Sequence, residues 1–137
     1  MVKYYVDTCI WLDLFENRKD KFRPLGEWAA EFINRSVKED EEILLSDIVE
    51  DELTNHLTEA HVKRLLNLRN HCMLVRVDSN KRQFDEALRL SKERRVPLND
   101  AFHAVLARDS GAVLITRDRH FDNLQDVVRC KKPEELI

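Results

Sequence analysis

Asp7, Glu52, Asp100 and Asp118 are four acids that the order of elements in this sequence would bring to one place. Asp7 closes the apolar run Tyr4-Tyr5-Val6, and Asp118 stands three residues past the run Ala112-Val113-Leu114-Ile115. In an open α/β sheet the site lies beyond the carboxyl ends of the strands, where Asp7 and Asp118 fall by position. Glu52 and Asp100 fall on expected helices, Asp100 in a first turn. Four gathered carboxylates repel one another, and a divalent cation that prefers hard oxygen ligands, Mg²⁺ or Mn²⁺, would neutralise them. The chemistry that follows is metal-dependent phosphodiester hydrolysis: the ion polarises the phosphoryl group and lowers the pKa of a bound water.

Each acid also has a plain structural reading. Asp100 or Asn99 can cap a helix, Asp118 can be a turn residue, and Glu52 can be solvated like Glu50 and Asp51. Asp7 is harder to dismiss, because an unpaired carboxylate ending a buried strand is costly. Other chemistries find no support. There is no Ser-His-Asp order, no paired nucleophilic cysteine and no glycine-rich phosphate loop, and the five His show no zinc spacing. Cys9, Cys72 and Cys130 are odd in number and form no CxxC pair, so each is expected to pack as a small hydrophobe.

The elements that must position the acids alternate. Residues 2–6 read as a buried strand. Thr8 is the expected cap of a helix carrying Ile10, Trp11, Leu14 and Phe15, and a second helix starts near Pro24 with Leu25, Trp28, Ala29, Phe32, Ile33 and Val37 on its apolar stripe. Residues 43–45 form a short strand, and Ser46 caps the helix bearing Glu52. A helix over 61–71 with Val62, Leu65, Leu66 and Leu68 leads to a strand over 72–77. Asp78 or Ser79 caps a long helix through about Arg94, with Phe84, Ala87, Leu88 and Ser91 facing inward. The helix from Pro97 ends at Gly111. Strands over 112–115 and 127–128 complete the pattern. Such alternation implies a parallel sheet covered on both faces. With 137 residues, one domain over 1–137 is expected.

Charge is uneven. The chain is −3 overall, but residues 1–60 hold 7 Lys+Arg against 15 Asp+Glu, a balance of −8, and the remainder is +5. A uniformly basic nucleic-acid binder is excluded, whereas a basic rim beside an acidic pocket is not. The run Glu39-Asp40-Glu41-Glu42 reads as a solvated face. With no signal peptide and no apolar run near ~18 residues, a reducing cytoplasm and no membrane contact are expected.

With these residues in place the chain resembles the PIN-domain nucleases, most of all the toxins of VapBC-type toxin–antitoxin pairs. The resemblance is carried by Tyr5-Val6-Asp7-Thr8, by Ser46 to Glu52 with Leu53, by Leu98-Asn99-Asp100-Ala101-Phe102-His103-Ala104, and by Leu114-Ile115-Thr116-Arg117-Asp118-Arg119-His120-Phe121. It implies a three-layer α/β/α sandwich around a parallel sheet of four or five strands, with Mg²⁺- or Mn²⁺-dependent RNA cleavage. Asp7, Glu52, Asp100 and Asp118 become metal-binding acids, with Thr8 and Thr116 as hydroxyls that orient carboxylates or water. An antitoxin partner and a homodimer follow from the same likeness, and Trp11, Leu14, Phe15 and Trp28 either line an antitoxin groove or pack in the core. Many relatives carry a further Asp two residues past the fourth acid; His120 stands there, and the next acid is Asp122. Arg117, Arg119 and His120 are candidates for RNA contact. A housekeeping PIN ribonuclease, an inactive PIN-fold binding module and, more remotely, a phosphotransfer receiver domain with Asp78 ending strand three are the competing readings.

Overall fold

Short apolar runs alternating with amphipathic helices build, in the computed structural model, a five-stranded parallel sheet. The structure describes residues 1–71 and 74–137. Strands β1 (Lys3–Val6), β2 (Glu42–Ser46), β3 (Leu74–Val77), β4 (Val113–Ile115) and β5 (Cys130–Lys131) lie in the order β3-β2-β1-β4-β5. Every strand pair is parallel. Helices α1 (Thr8–Glu16), α2 (Leu25–Lys38), α3 (Asp47–Thr54), α4 (Glu59–His71), α5 (Lys81–Arg94) and α6 (Leu98–Asp109) make the connections, and a 3-10 helix, Arg119–Leu124, precedes β5. This is the expected α/β/α sandwich. A receiver domain places its third strand beside the first, in the order 2-1-3-4-5; here β3 is an outer strand, which removes that rival.

The centre of the sheet is apolar on both faces, as parallel strands under two helical layers require. Tyr5, Val6, Leu114 and Ile115 are fully buried, with Trp11, Phe32, Leu53, Leu106, Phe121 and Leu124 packed around them. Among the described residues, no helix is long and apolar enough to cross a membrane.

Several boundaries differ from the sequence pattern. Asp7, not Thr8, is the N-cap of α1, and its carboxylate accepts from the Thr8 N–H. Asn80, not Asp78 or Ser79, caps α5 in a reciprocal capping box with Gln83. Asp78 is held by Arg76, and Ser79 donates to Asp47. On α5, Ala87 and Leu90 are buried while Phe84 is 39% exposed, so the inward stripe is rotated from the expected one. The last strand falls at 130–131, because Val127 and Val128 are still held in a turn by N–H bonds to the Leu124 carbonyl. Val128 is buried there, and it is this burial that made the pair resemble a strand. The start of the expected strand 72–77, with Cys72, and the Leu66 side chain lie outside the described residues.

Gly26 marks a close approach of α2 to the end of α1. A Cβ there would stand 2.6 Å from the Asn17 Cα and 2.7 Å from the Asp13 carbonyl. Both are main-chain atoms that cannot swing aside, so Gly26→Ala is expected to cost about 2–3 kcal/mol in denaturant unfolding. An unchanged midpoint would show that α1 and α2 part easily.

Candidate metal centre

β1 and β4 are neighbours, so their carboxyl ends put Asp7 and Thr116 side by side. The Asp7 N–H extends the ladder to the Ile115 carbonyl at 2.9 Å. One carboxylate oxygen of Asp7 accepts from the Thr8 N–H at 2.8 Å, and the other accepts from the Thr116 hydroxyl at 2.7 Å. The Thr116 oxygen in turn accepts from the Asp118 N–H at 3.1 Å. One hydroxyl therefore fixes both the first acid and the turn that carries the fourth. Thr8 Oγ1 is buried and has no hydrogen-bond partner, so the orienting contact comes from Thr116 and not from Thr8. Cys9 has a polar neighbour as well as apolar ones: its Sγ donates to Asp7 Oδ2 at 3.4 Å, and burial, then the Asp7 charge, push the thiol up so that it stays protonated and unreactive.

Asp100 enters from the first turn of α6. It caps nothing; Pro97 holds the cap position, without a side-chain hydrogen bond. His120 Nδ1 lies 3.0 Å from Asp100 Oδ2 and 3.0 Å from Asp118 Oδ1. The first is a charge contact outside hydrogen-bond geometry, which leaves the buried Asp100 Oδ2 without a hydrogen bond. Burial, then the charges of Asp118 and Asp7, push the Asp100 carboxyl up to about 6, with His120 opposing the rise. Ligand atoms of Asp100, Asp118 and His120 all lie within 4.8 Å of one another. Asp122 is exposed on the 3-10 helix and is not among these ligand atoms.

Glu52 reaches this edge through an intermediary that the sequence reading overlooked. His103, one turn past Asp100, is 1% exposed and places its Nε2 2.6 Å from Glu52 Oε1 and 3.9 Å from Asp7 Oδ1. Its Nδ1 meets the Tyr5 hydroxyl at 2.7 Å, and that hydroxyl meets Ser46 Oγ at 2.6 Å. Ser46 Oγ also accepts from the Val49 N–H as the cap of α3. The chain of polar atoms runs from the α3 cap through β1 and α6 to the Glu52 carboxylate on α3. Burial disfavours a charged ring at His103, but the hydrogen bond to Glu52 and the Asp7 charge outweigh it and raise the pKa. The i, i+3 spacing of Asp100 and His103 puts both on one face of α6, and that spacing is the signal that could have found it.

The structure thus joins Asp7, Asp100 and Asp118 in one electrostatic group, and couples Glu52 to it through His103. Hard carboxylate oxygens, one of them buried without a hydrogen bond, are the donor set that a hard divalent cation requires. Arg117 is not available to a ligand. It is held, partly buried, between Asp13 and Glu134, with its guanidinium over the Trp28 ring. Trp11 and Phe15 belong to the core, whereas Leu14 and Trp28 are half-buried.

A family model described as PIN domain matches residues 4–127. No curated protein sequence matches the chain. Among solved structures, the VapBC2 complex of Rickettsia felis, bound to a DNA fragment from its promoter, is similar at 17% identity with a TM-score of 0.71, covering 96% of this chain and 98% of that one. VapBC-1 of nontypeable Haemophilus influenzae follows at 18% identity and TM-score 0.68, covering 96% and 98%. A toxin–antitoxin complex of Klebsiella pneumoniae gives 19% identity and TM-score 0.66, covering 95% and 97%.

Proposed function

Because the chain belongs to the PIN-domain family, we propose that it is a divalent-metal-dependent endoribonuclease and the toxin of a VapBC-type toxin–antitoxin pair. The observation that carries the nuclease reading is the buried, unbonded Asp100 oxygen beside Asp118 and Asp7. Asp7, Asp100 and Asp118 would hold Mg²⁺ or Mn²⁺ directly, with Glu52 as the fourth acid. The bound ion would supply Lewis-acid polarisation of the phosphoryl group and a water of lowered pKa.

The remaining work falls to the chain itself. Thr116 fixes the Asp7 carboxylate and the backbone at Asp118 with one hydroxyl. His103 holds Glu52. His120, when protonated, offsets part of the charge on Asp100 and Asp118. The toxin assignment, the antitoxin partner, a homodimer and a cytoplasmic setting draw support from the VapBC complexes among the similar structures.

The test is a ribonuclease assay on the full chain with Mn²⁺, Mg²⁺ or EDTA. Cleavage of single-stranded RNA with either ion and none in EDTA is expected, together with a rise in melting temperature on adding Mn²⁺. A folded chain that neither cleaves RNA nor gains stability from the ion would be a binding module that kept only the fold.

A further inference from the structure

The carboxyl edge of the sheet is electrically lopsided. At the β2–β3 end lie Asp47, Glu50, Asp51 and Asp78, with Arg76 paired to Glu50 and Asp78. The carboxylate group sits in the middle, at β1 and β4. Beyond it, at the β4–β5 end, lie Arg119, Lys131 and Lys132.

At the basic end is a cavity of about 280 Å³ lined by Asp118, Arg119, Lys131 and Lys132 among others. It borders the carboxylate group, because Thr116 and Asp118 stand in its wall. Two other arginines in its wall are already committed, Arg117 to Asp13 and Glu134, and Arg23 to Asp20. Arg119 and Lys131 have no ion-pair partner among the described residues, and Arg119 and Lys132 are exposed. Asp122 and Glu135 also line the cavity and keep its net charge modest. The one aromatic residue in the wall, Phe121, is 1% exposed and offers no face for base stacking.

We propose that Arg119, Lys131 and Lys132 form a subsite for a backbone phosphate of single-stranded RNA, so that the strand crosses the site on its β4–β5 side. This rests on the ribonuclease reading and adds a direction to it. The β2–β3 side repels a polyanion, while the β4–β5 side offers Arg119 and Lys131, which have no ion-pair partner among the described residues. With no exposed ring in the wall, the subsite reads charge and not bases.

The test is anisotropy of labelled oligo(A) and oligo(U) ribonucleotides, in EDTA to prevent cleavage, over a salt series. The chains compared are wild type, Arg119→Ala/Lys131→Ala, the charge-keeping Arg119→Lys/Lys131→Arg, and Lys63→Ala/Lys92→Ala, which removes two exposed charges elsewhere. Loss of two phosphate contacts should weaken binding about tenfold near ~0.1 M salt and flatten the log–log salt slope by about 1.4, equally for both sequences. The charge-keeping and remote variants should match wild type. Equal affinity and slope in the Arg119/Lys131 alanine variant, or the same loss in the remote variant, overturns the subsite and leaves the ribonuclease reading standing. A loss confined to one sequence overturns its phosphate character. A wild-type chain that neither binds nor cleaves RNA overturns the ribonuclease reading and the subsite with it.

Discussion

Asp7→Asn and Asp100→Asn are each expected to abolish Mn²⁺-dependent RNA cleavage, by more than about 100-fold, in chains that remain folded. Residues that only support metal ligands cost 10–100-fold when removed, so a direct ligand should exceed that range. Folding should survive for different reasons. Asn at position 7 keeps an oxygen for the Thr8 N–H, and Asn is as good an N-cap as Asp. The Thr116 hydroxyl can rotate to accept from the new amide. Asn at position 100 removes a charge that the metal-free fold does not want. The Asp100 carboxyl is raised from 3.8 to about 6 by burial and by Asp118 and Asp7. Between those values the folded chain holds a proton that the unfolded chain releases, so Asp100 costs the metal-stripped protein stability as pH rises from about 4 to 6. Partial solvation keeps this near 1–2 kcal/mol, below the ~3 kcal/mol of a fully felt two-unit shift. Metal-stripped Asp100→Asn should therefore be at least as stable as wild type at pH 7 and lack that slope, while losing the Mn²⁺-induced gain in melting temperature. Full cleavage by both variants would remove the site from these residues.

What could be read from the sequence follows from how local each cause is. Asp7 and Asp118 were placed by strand ends alone, because a parallel sheet gathers its carboxyl ends without regard to side-chain detail. Asp100 needed only a helix start. The order β3-β2-β1-β4-β5 was not written in any single segment, since it depends on which crossover each strand makes. The Asp7 cap is hard to read because Thr8, one residue along, is also a favoured capping type. Arg117 looked like a free cation beside the site, yet its partners Asp13 and Glu134 lie 104 and 17 residues away and only the fold brings them to it. His103 went unnoticed for the same reason: Tyr5 and Glu52, the groups that give it a role, are 98 and 51 residues distant. A buried polar residue whose partners are distant in the chain is legible only where, as for Asp7, a strand end already marks its place.

His103→Leu is expected to lower Mn²⁺ affinity and cleavage together by about 10–100-fold, the usual cost of losing a group that holds a metal-binding carboxylate. A carboxylate only accepts hydrogen bonds, so His103 Nε2 must carry the proton it gives to Glu52. The ring is held for this by the Tyr5 hydroxyl, itself anchored on the Ser46 cap of α3. Leucine fills the space but donates nothing. Stability should fall by only about 1–3 kcal/mol, because Tyr5 and Ser46 still satisfy each other and the Glu52 side chain, 31% exposed, can turn to water. A buried pair broken without such escape would cost ~3–5 kcal/mol. That freedom is what should harm the site, since Glu52 would no longer be pinned beside Asp7. Two further variants separate positioning from packing. His103→Gln can present an amide N–H toward Glu52 and should recover most of the affinity, although it fills the core less well. Tyr5→Phe leaves the imidazole in place with a loose Nδ1, and should fall between wild type and leucine. Calorimetric Mn²⁺ titration beside a ribonuclease assay reads both quantities on one set of proteins. If the leucine chain is merely less stable, and binds the ion and cleaves RNA as wild type does, then His103 is a packing residue and Glu52 stands without its help.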